Sequence, residues 1–189
     1  MEYVEPIRKT KQIHAMKKIL LAQSPRNYLL FTLGINSGLR ISDILELKVK
    51  DLVNENGKVR SFFEVREKKT GKYRKIAISK TVAKAVEAFL SDFSGQADQY
   101  VFASRKNPNR PISRVQAYRI IRDAARMVGI EDRIGTHTLR KTFGYHAYRS
   151  GVDLALLQAI FNHASQQETL RYIGITQDQM DEVTLELNL

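Results

Sequence analysis

The order of apolar and polar positions along the chain reads mainly as helix. Ile13, Met16, Ile19 and Leu20 recur at helical spacing after Thr10, which predicts a first helix with Thr10 as its cap. Ser24-Pro25 pairs a capping hydroxyl with a proline suited to the first helical position. The helix that follows carries Tyr28, Leu29, Phe31, Thr32 and Ile35, is apolar almost all round, and is expected to be buried up to its end near Ser37-Gly38. A short helix through Ile41, Ile44, Leu45 and Leu47 comes next.

Between Val59 and Ile78 the pattern changes. Val59 to Val65 is rich in strand formers, Arg74 to Ile78 partly alternates, and Lys69-Thr70-Gly71-Lys72 between them predicts a hairpin turn with glycine at a positive φ. Ser79 opens a helix with Val82, Val86, Phe89 and Leu90, Tyr100-Val101-Phe102 reads as a short strand, and Lys106 to Pro111 as a loop. Ser113 starts a further helix closed by Gly129, and Thr136 or Thr138 starts another that stops at Gly151. Helices over Asp153–Phe161, before Tyr172 and over Gln177–Leu187 complete the pattern. The expected fold class is α+β, mainly α-helical with one small antiparallel β-hairpin, in a single domain over residues 1–189. An N-terminal tail over about residues 1–9 and a helical tail over 175–189 flank it.

Composition adds a partner class. Lys and Arg total 31 against 20 acids, a formal net charge of +11, and such a field attracts polyanions, nucleic acid first among them. No apolar run reaches membrane-spanning length, and Met1 to Pro6 lacks the layout of a secretory signal. The chain has no cysteine, which excludes disulfides and thiolate metal sites and suits a reducing cytoplasm.

The chemistry sits in an ordered set: Arg40 within Ser37-Gly38-Leu39-Arg40-Ile41-Ser42-Asp43, Lys69 in the hairpin turn, His137 and Arg140 within His137-Thr138-Leu139-Arg140, His163 after Asn162, and Tyr172 nine residues further on. Taken singly, each has an ordinary reading as a solvated charge, a hydrogen-bonded histidine or a core tyrosine. Together, two guanidinium groups can clamp the nonbridging oxygens of a phosphodiester through planar forks of donors. His137 and Arg140, three apart, are expected on one helix face near its start, where the dipole also favours an anion. A site crowded with cations should favour the phenolate of Tyr172, whose ordinary pKa is about 10.

The set and its order resemble the catalytic domain of the tyrosine site-specific recombinase (phage integrase) family over residues Thr10 to Tyr172. The resemblance implies a DNA strand-exchange enzyme in which Tyr172 attacks phosphorus and forms a 3′-phosphotyrosine intermediate. Lys69, at a flexible hairpin tip, is then the general acid for the departing 5′ oxygen, His137 assists proton transfer at the tyrosine, and His163 hydrogen-bonds a phosphate oxygen. The covalent bond conserves the energy of the broken one, so neither cofactor nor metal is expected. Asp43 is expected to pair with a neighbouring basic group, and His14 and His146 to be structural. Family members carry glycine where this chain has Asn162, a residue that also tolerates the left-handed region.

Double-stranded DNA is the expected partner, with self-association on it into a tetrameric synapse by family resemblance, and no membrane. Lys72 in the basic hairpin and Arg119, Arg122 and Arg126, spaced as a stripe on one helix, are candidate DNA contacts; ordinary solvated charge is their other reading. An N-terminal helical domain that clamps the far side of DNA in the family is expected to be absent. Ile175, Met180, Val183 and Leu187 give a partly amphipathic tail that packs on its own domain or docks on a neighbouring copy. Two alternatives stay open: a DNA-binding remnant or regulator that no longer recombines, and a type IB topoisomerase with the same covalent chemistry.

Overall fold

The structure, a computed structural model, describes residues 4–187, apart from the side chain of Val183. The order is α1 (Thr10–Gln23), α2 (Pro25–Ser37), α3 (Ile41–Ile44), α4 (Val49–Leu52), β1 (Phe62–Arg66), β2 (Tyr73–Ala77), α5 (Lys80–Ser91), α6 (Arg114–Met127), α7 (Thr136–Arg149), α8 (Leu154–Phe161), α9 (Gln166–Ile173) and α10 (Ile175–Leu187). Helices dominate, and β1 and β2 form one antiparallel pair in which Phe63 faces Ile76 and Val65 faces Arg74. Phe63, Val65 and Ile76 point inward while Phe62, Glu64 and Arg66 face solvent, the period-two alternation of a sheet with one covered face.

Two apolar clusters organise these elements. The larger joins α1, α2, α5, α6 and the inner face of the hairpin, with the apolar helix α2 at its centre as expected. The smaller gathers Tyr145, Phe161, Ile173 and Ile175, with Phe143, Leu170 and Tyr172 packed against it. Helix α7 belongs to both, since Leu139 faces the first and Tyr145 the second. At Gly144 a β-carbon would stand 2.6 Å from both Phe161 and Ile173, so only glycine lets α8 and α9 approach α7 this closely.

Several terminus signals hold and others do not. Ser79, Ser113, Asp153 and Ser165 cap α5, α6, α8 and α9 through their side chains. Thr10 is the first residue inside α1 rather than its cap, and the Ser24 hydroxyl makes no capping bond although Pro25 opens α2. Helix α7 starts at Thr136, and the hydroxyl of Thr138 accepts from the Gly135 N–H at 3.0 Å. Tyr100 to Phe102 is not a strand: Val101 donates to the Leu47 carbonyl and Tyr100 bridges Lys48, but α4 begins at the next residue and the pairing stops there. That four-residue helix α4 carried too few apolar positions to show a period.

The segment before α1 is not a loose tail. Ile7 is buried and its N–H donates to Thr142 Oγ1 at 2.9 Å, while Glu5 N–H donates to the Arg133 carbonyl. Helix α10 starts two residues earlier than expected; Ile175 is buried, Arg8 pairs with Asp178 at 2.7 Å, and Met180 and Leu187 are exposed. Among the described residues no helix is long and apolar enough to cross a membrane.

Candidate active site

One cavity of about 380 Å³ is lined by Arg40, Lys69, His137, Arg140, His163 and Tyr172, together with Val4, Lys141, Phe161, Asn162 and Glu168. Every residue of the expected catalytic set therefore meets in a single place, although the set is drawn from the α2–α3 junction, the hairpin turn, α7, the end of α8 and α9.

Gly38, at φ 62°, ends α2 and turns the chain so that Arg40 leaves the core as the residue before α3. Arg40 Nη1 donates to Glu67 Oε2 at 2.8 Å, which orients the guanidinium. Arg140, one turn into α7, is only 3% exposed; its Nη1 donates to the Gly38 carbonyl, its Nη2 to the Phe161 carbonyl at 3.0 Å, and its guanidinium carbon sits 4.7 Å from the Phe161 ring centre. Burial, reinforced by Arg40, brings the Arg140 pKa down to about 10 against some relief from Tyr172. Such a cation has spare N–H donors and little solvent, so an entering anion finds it underpaid in hydration.

Asn162 ends α8 in the left-handed region, φ 52° and ψ 49°, a conformation that asparagine tolerates better than most residues other than glycine. This turn delivers His163, whose ring lies edge-on to Tyr172 with centroids 4.9 Å apart. Nδ1 of His163 lies 3.1 Å from Thr169 Oγ1, and that hydroxyl donates to the Ser165 carbonyl at 3.2 Å. Thr169 must then accept from Nδ1–H, so the neutral ring presents Nε2 as an acceptor. Both site histidines are held below the usual imidazole pKa, His137 by desolvation and then by Arg140, Lys141, Arg40 and Lys69. For His163 desolvation again comes first; Glu168 partly offsets it, and Arg140, Arg40 and Lys69 add to it.

Tyr172 departs from expectation. Its hydroxyl is enclosed and, among the described residues, makes no hydrogen bond of ordinary geometry, although the Arg140 guanidinium lies near it. Burial raises the phenol pKa, and the opposing fields of Arg140 and Arg40 do not cancel that rise. The cations alone favour phenolate, but the apolar packing against Phe161 (centroids 5.4 Å apart) removes the water that would solvate it. The resting site thus holds a neutral phenol.

The hairpin turn is anchored, contrary to the expected flexible tip. Glu67 N–H donates to the Lys72 carbonyl, Gly71 N–H (φ 69°) to the Glu67 carbonyl, and Lys68 N–H to Asp43 Oδ1 at 3.1 Å. Asp43, 1% exposed, therefore holds a backbone amide rather than the basic side chain expected of it. Lys72 Nζ donates to Asn162 Oδ1 at 2.8 Å, so this expected DNA contact ties the hairpin to the turn before His163. Arg119, Arg122 and Arg126 lie on α6 and do not line the cavity; Arg122 is paired with Asp123 at 2.7 Å. His146 Nε2 lies 2.8 Å from the Ile7 carbonyl, in keeping with a structural role.

Residues not singled out in the sequence also belong to the site. Lys141 is buried with Nζ 5.3 Å from the Tyr172 ring centre, and burial lowers its pKa. Glu67 is 3% exposed and accepts from Arg40, Arg74 and Thr70. For Lys141 the available signal was a second cation directly after Arg140, one turn beyond His137; for Glu67 it was a lone acid opening a basic turn. Among the described residues no group of His, Asp and Glu side chains gathers that could hold a metal ion.

Comparisons with known proteins fit this geometry. The phage integrase family profile matches residues 8–179. The probable integrase/recombinase YoeC of Bacillus subtilis (strain 168) is 47% identical over 178 residues, covering 94% of this chain and 93% of that protein. The tyrosine recombinase XerA of Pyrococcus furiosus is 26% identical over 179 residues, 95% of this chain but 60% of that longer protein. Among solved structures, the XerH site-specific recombinase bound to a palindromic difH substrate in a post-cleavage complex superposes with a TM-score of 0.70 at 23% identity, covering 93% of this chain and 49% of that one.

Proposed function

The chain belongs to the phage integrase family, and we propose that it is a site-specific recombinase that breaks and rejoins double-stranded DNA through a covalent bond to Tyr172. The observation that carries this reading is the convergence of Arg40, Lys69, His137, Arg140, His163 and Tyr172 on one cavity. Arg40 and Arg140 hold the nonbridging oxygens of the scissile phosphate and stabilise the charge that develops on them. The anion also offsets the burial of Arg140, but its charge opposes a phenolate beside it, so the phenol loses its proton only as it attacks. Tyr172 Oη then forms a bond to phosphorus as the bond to O5′ breaks. The phenol proton passes to His137, which is neutral beforehand, and O5′ takes a proton from the Lys69 ammonium. Attack by a 5′ hydroxyl of a second strand reverses these steps, with no cofactor because the phosphotyrosine retains the bond energy.

Exchange between two duplexes requires four strand cleavages, and each chain carries one nucleophile, so four copies assemble on DNA. Lys72, Arg119, Arg122 and Arg126 supply phosphate contacts outside the cavity. The described residues act as one catalytic domain, working in the cytoplasm, where a cysteine-free chain needs no oxidising compartment.

Covalent trapping tests the reading. Nicked duplexes drawn from DNA flanking the gene should yield an adduct that survives denaturing gels, and peptide mapping should place the nucleotide on Tyr172. DNA binding without an adduct would replace the reading by a binding module. Relaxation of supercoiled plasmid with no preferred site would replace it by a topoisomerase.

The histidine tautomer adds a pH signature. Neutral His163 offers Nε2 as an acceptor, so it must take up a proton to donate to a phosphate oxygen. Its pKa is low in the free protein and rises against the anion, so DNA affinity falls as pH rises between the two values. Calorimetric titration near neutral pH in buffers of different ionisation heat should show proton uptake on binding. The uptake should drop by up to about one proton in His163→Gln; identical uptake in the variant would remove His163 from the phosphate.

A further inference from the structure

Beside the cationic site lies the buried carboxylate of Glu67. Glu67 Oε2 accepts from Arg40 Nη1 at 2.8 Å and from the Thr70 hydroxyl at 2.9 Å, and Oε1 accepts from Arg74 Nη1 at 3.0 Å. Burial alone would raise its pKa, but the bonds from Arg74, Arg40 and Thr70 outweigh it and hold the carboxyl below its ordinary range. The main chain of the same residue closes the turn, with Glu67 N–H donating to the Lys72 carbonyl at 2.9 Å and Gly71 N–H to the Glu67 carbonyl at 2.8 Å. Lys69 stands inside that turn, next to Thr70, and its own side chain is exposed to the cavity.

We propose that Glu67 is a positioning residue that fixes Lys69 relative to the phosphate clamp, because one carboxylate oxygen is shared by the Arg40 guanidinium and the hydroxyl adjacent to Lys69. A carboxylate placed only to neutralise Arg40 would not reach into the turn, and one placed only to brace the turn would not take the guanidinium. Sharing Oε2 makes the distance between clamp and acid a property of one rigid group. The proposal rests on the reading of Lys69 as general acid and Arg40 as clamp.

The reaction offers a way to see this role alone. When Tyr172 Oη bonds to phosphorus, the electron pair of the breaking bond goes to O5′, which needs the Lys69 proton. With sulfur in place of O5′ the pair leaves as a thiolate, whose conjugate thiol has a pKa of about 8.5, and no acid is required. A misplaced Lys69 should therefore slow cleavage of the oxygen duplex and spare the sulfur one. A misplaced clamp should slow both.

Single-turnover cleavage of both duplexes by the full chain would be compared for wild type, Thr70→Val, Glu67→Gln and Lys69→Ala. On oxygen, Lys69→Ala should lose about 10²–10⁴-fold and Thr70→Val and Glu67→Gln about 10- to 100-fold. Sulfur should restore Lys69→Ala and Thr70→Val to within about threefold of wild type, and Glu67→Gln at least tenfold. Equal losses on both duplexes for Thr70→Val and Glu67→Gln, with Lys69→Ala still rescued, would overturn the positioning role and leave the acid assignment standing. Failure to rescue Lys69→Ala would remove the acid assignment and this proposal with it. Independently of DNA, hydrogen exchange in the free protein should quicken at the Lys68 and Gly71 amides in Thr70→Val while α7 stays protected. Unchanged exchange in the turn would also overturn the proposal. Thr70→Val keeps the carboxylate and both arginine pairs, so it reports even where Glu67→Gln fails to fold.

Discussion

Tyr172→Phe should abolish the covalent DNA adduct entirely while leaving the protein as stable as wild type or slightly more stable. The first half follows from the proposed role of Tyr172 Oη as the atom that bonds to phosphorus, since that step needs a nucleophile in line with the leaving oxygen. The second half follows from the resting structure, where the hydroxyl is enclosed and makes no hydrogen bond of ordinary geometry among the described residues. A buried hydroxyl in that state costs about 1–3 kcal/mol of desolvation, which phenylalanine does not incur. The ring contacts with Phe161 and His163 survive the change. Thermal unfolding should therefore show Tm unchanged or raised by a few degrees, roughly 2–4 °C per kcal/mol for a chain of this size. DNA binding should persist, because the cations that meet phosphate are untouched. A marked fall in Tm would mean that the hydroxyl is satisfied in solution, and the resting phenol would then not be held in the way described.

How much of this was legible beforehand depends on whether a feature is local in the chain. Arg40 behind Ser37-Gly38, the turn at Gly71, the pair His137 and Arg140 on one helix face, and Tyr172 nine residues after His163 are short-range patterns, and all of them meet in the cavity. The helices with apolar periodicity, α1, α2 and α5 to α9, were readable for the same reason. Features set by long-range packing were not. Glu67 reaches Arg40 across 27 positions, and in sequence it is one acid beside a row of lysines. The same limit explains the protonation state of Tyr172: the sequence counts the cations around it, but the opposing burial comes from α7, α8 and α9 closing on one another through Gly144. Tyr100 to Phe102 carries strand-forming residues, yet its partner at Leu47 and Lys48 runs straight into α4. A local propensity cannot report that the partner is too short.

Arg140→Ala should collapse catalysis at a modest cost in stability. Removing a preorganised donor aimed at developing charge typically costs about 10²–10³ in rate, and Arg140 contributes a fork of donors rather than one. Single-turnover cleavage should thus fall by at least about 10³-fold, and Arg140→Lys should recover little of it, because an ammonium cannot hold the Gly38 and Phe161 carbonyls and a phosphate at once. For folding, two effects oppose. The variant loses two charge-assisted hydrogen bonds, each contributing about 1.5–3 kcal/mol with the stranding of its carbonyl included. It also removes a cation whose pKa is brought down to about 10, and keeping that group charged at neutral pH costs on the order of 3 kcal/mol. Because the folded pKa lies below the unfolded one, the group opposes folding while it is protonated, and that opposition is relieved only as pH rises through 10 and beyond. The two effects are comparable, so the net destabilisation of Arg140→Ala at pH 7 should stay below about 3 kcal/mol, measured by denaturant unfolding. A loss well above that would mean that Arg140 chiefly pins α7 to the ends of α2 and α8. A small loss with collapsed activity would mean that the fold maintains a costly buried cation for the phosphate it meets.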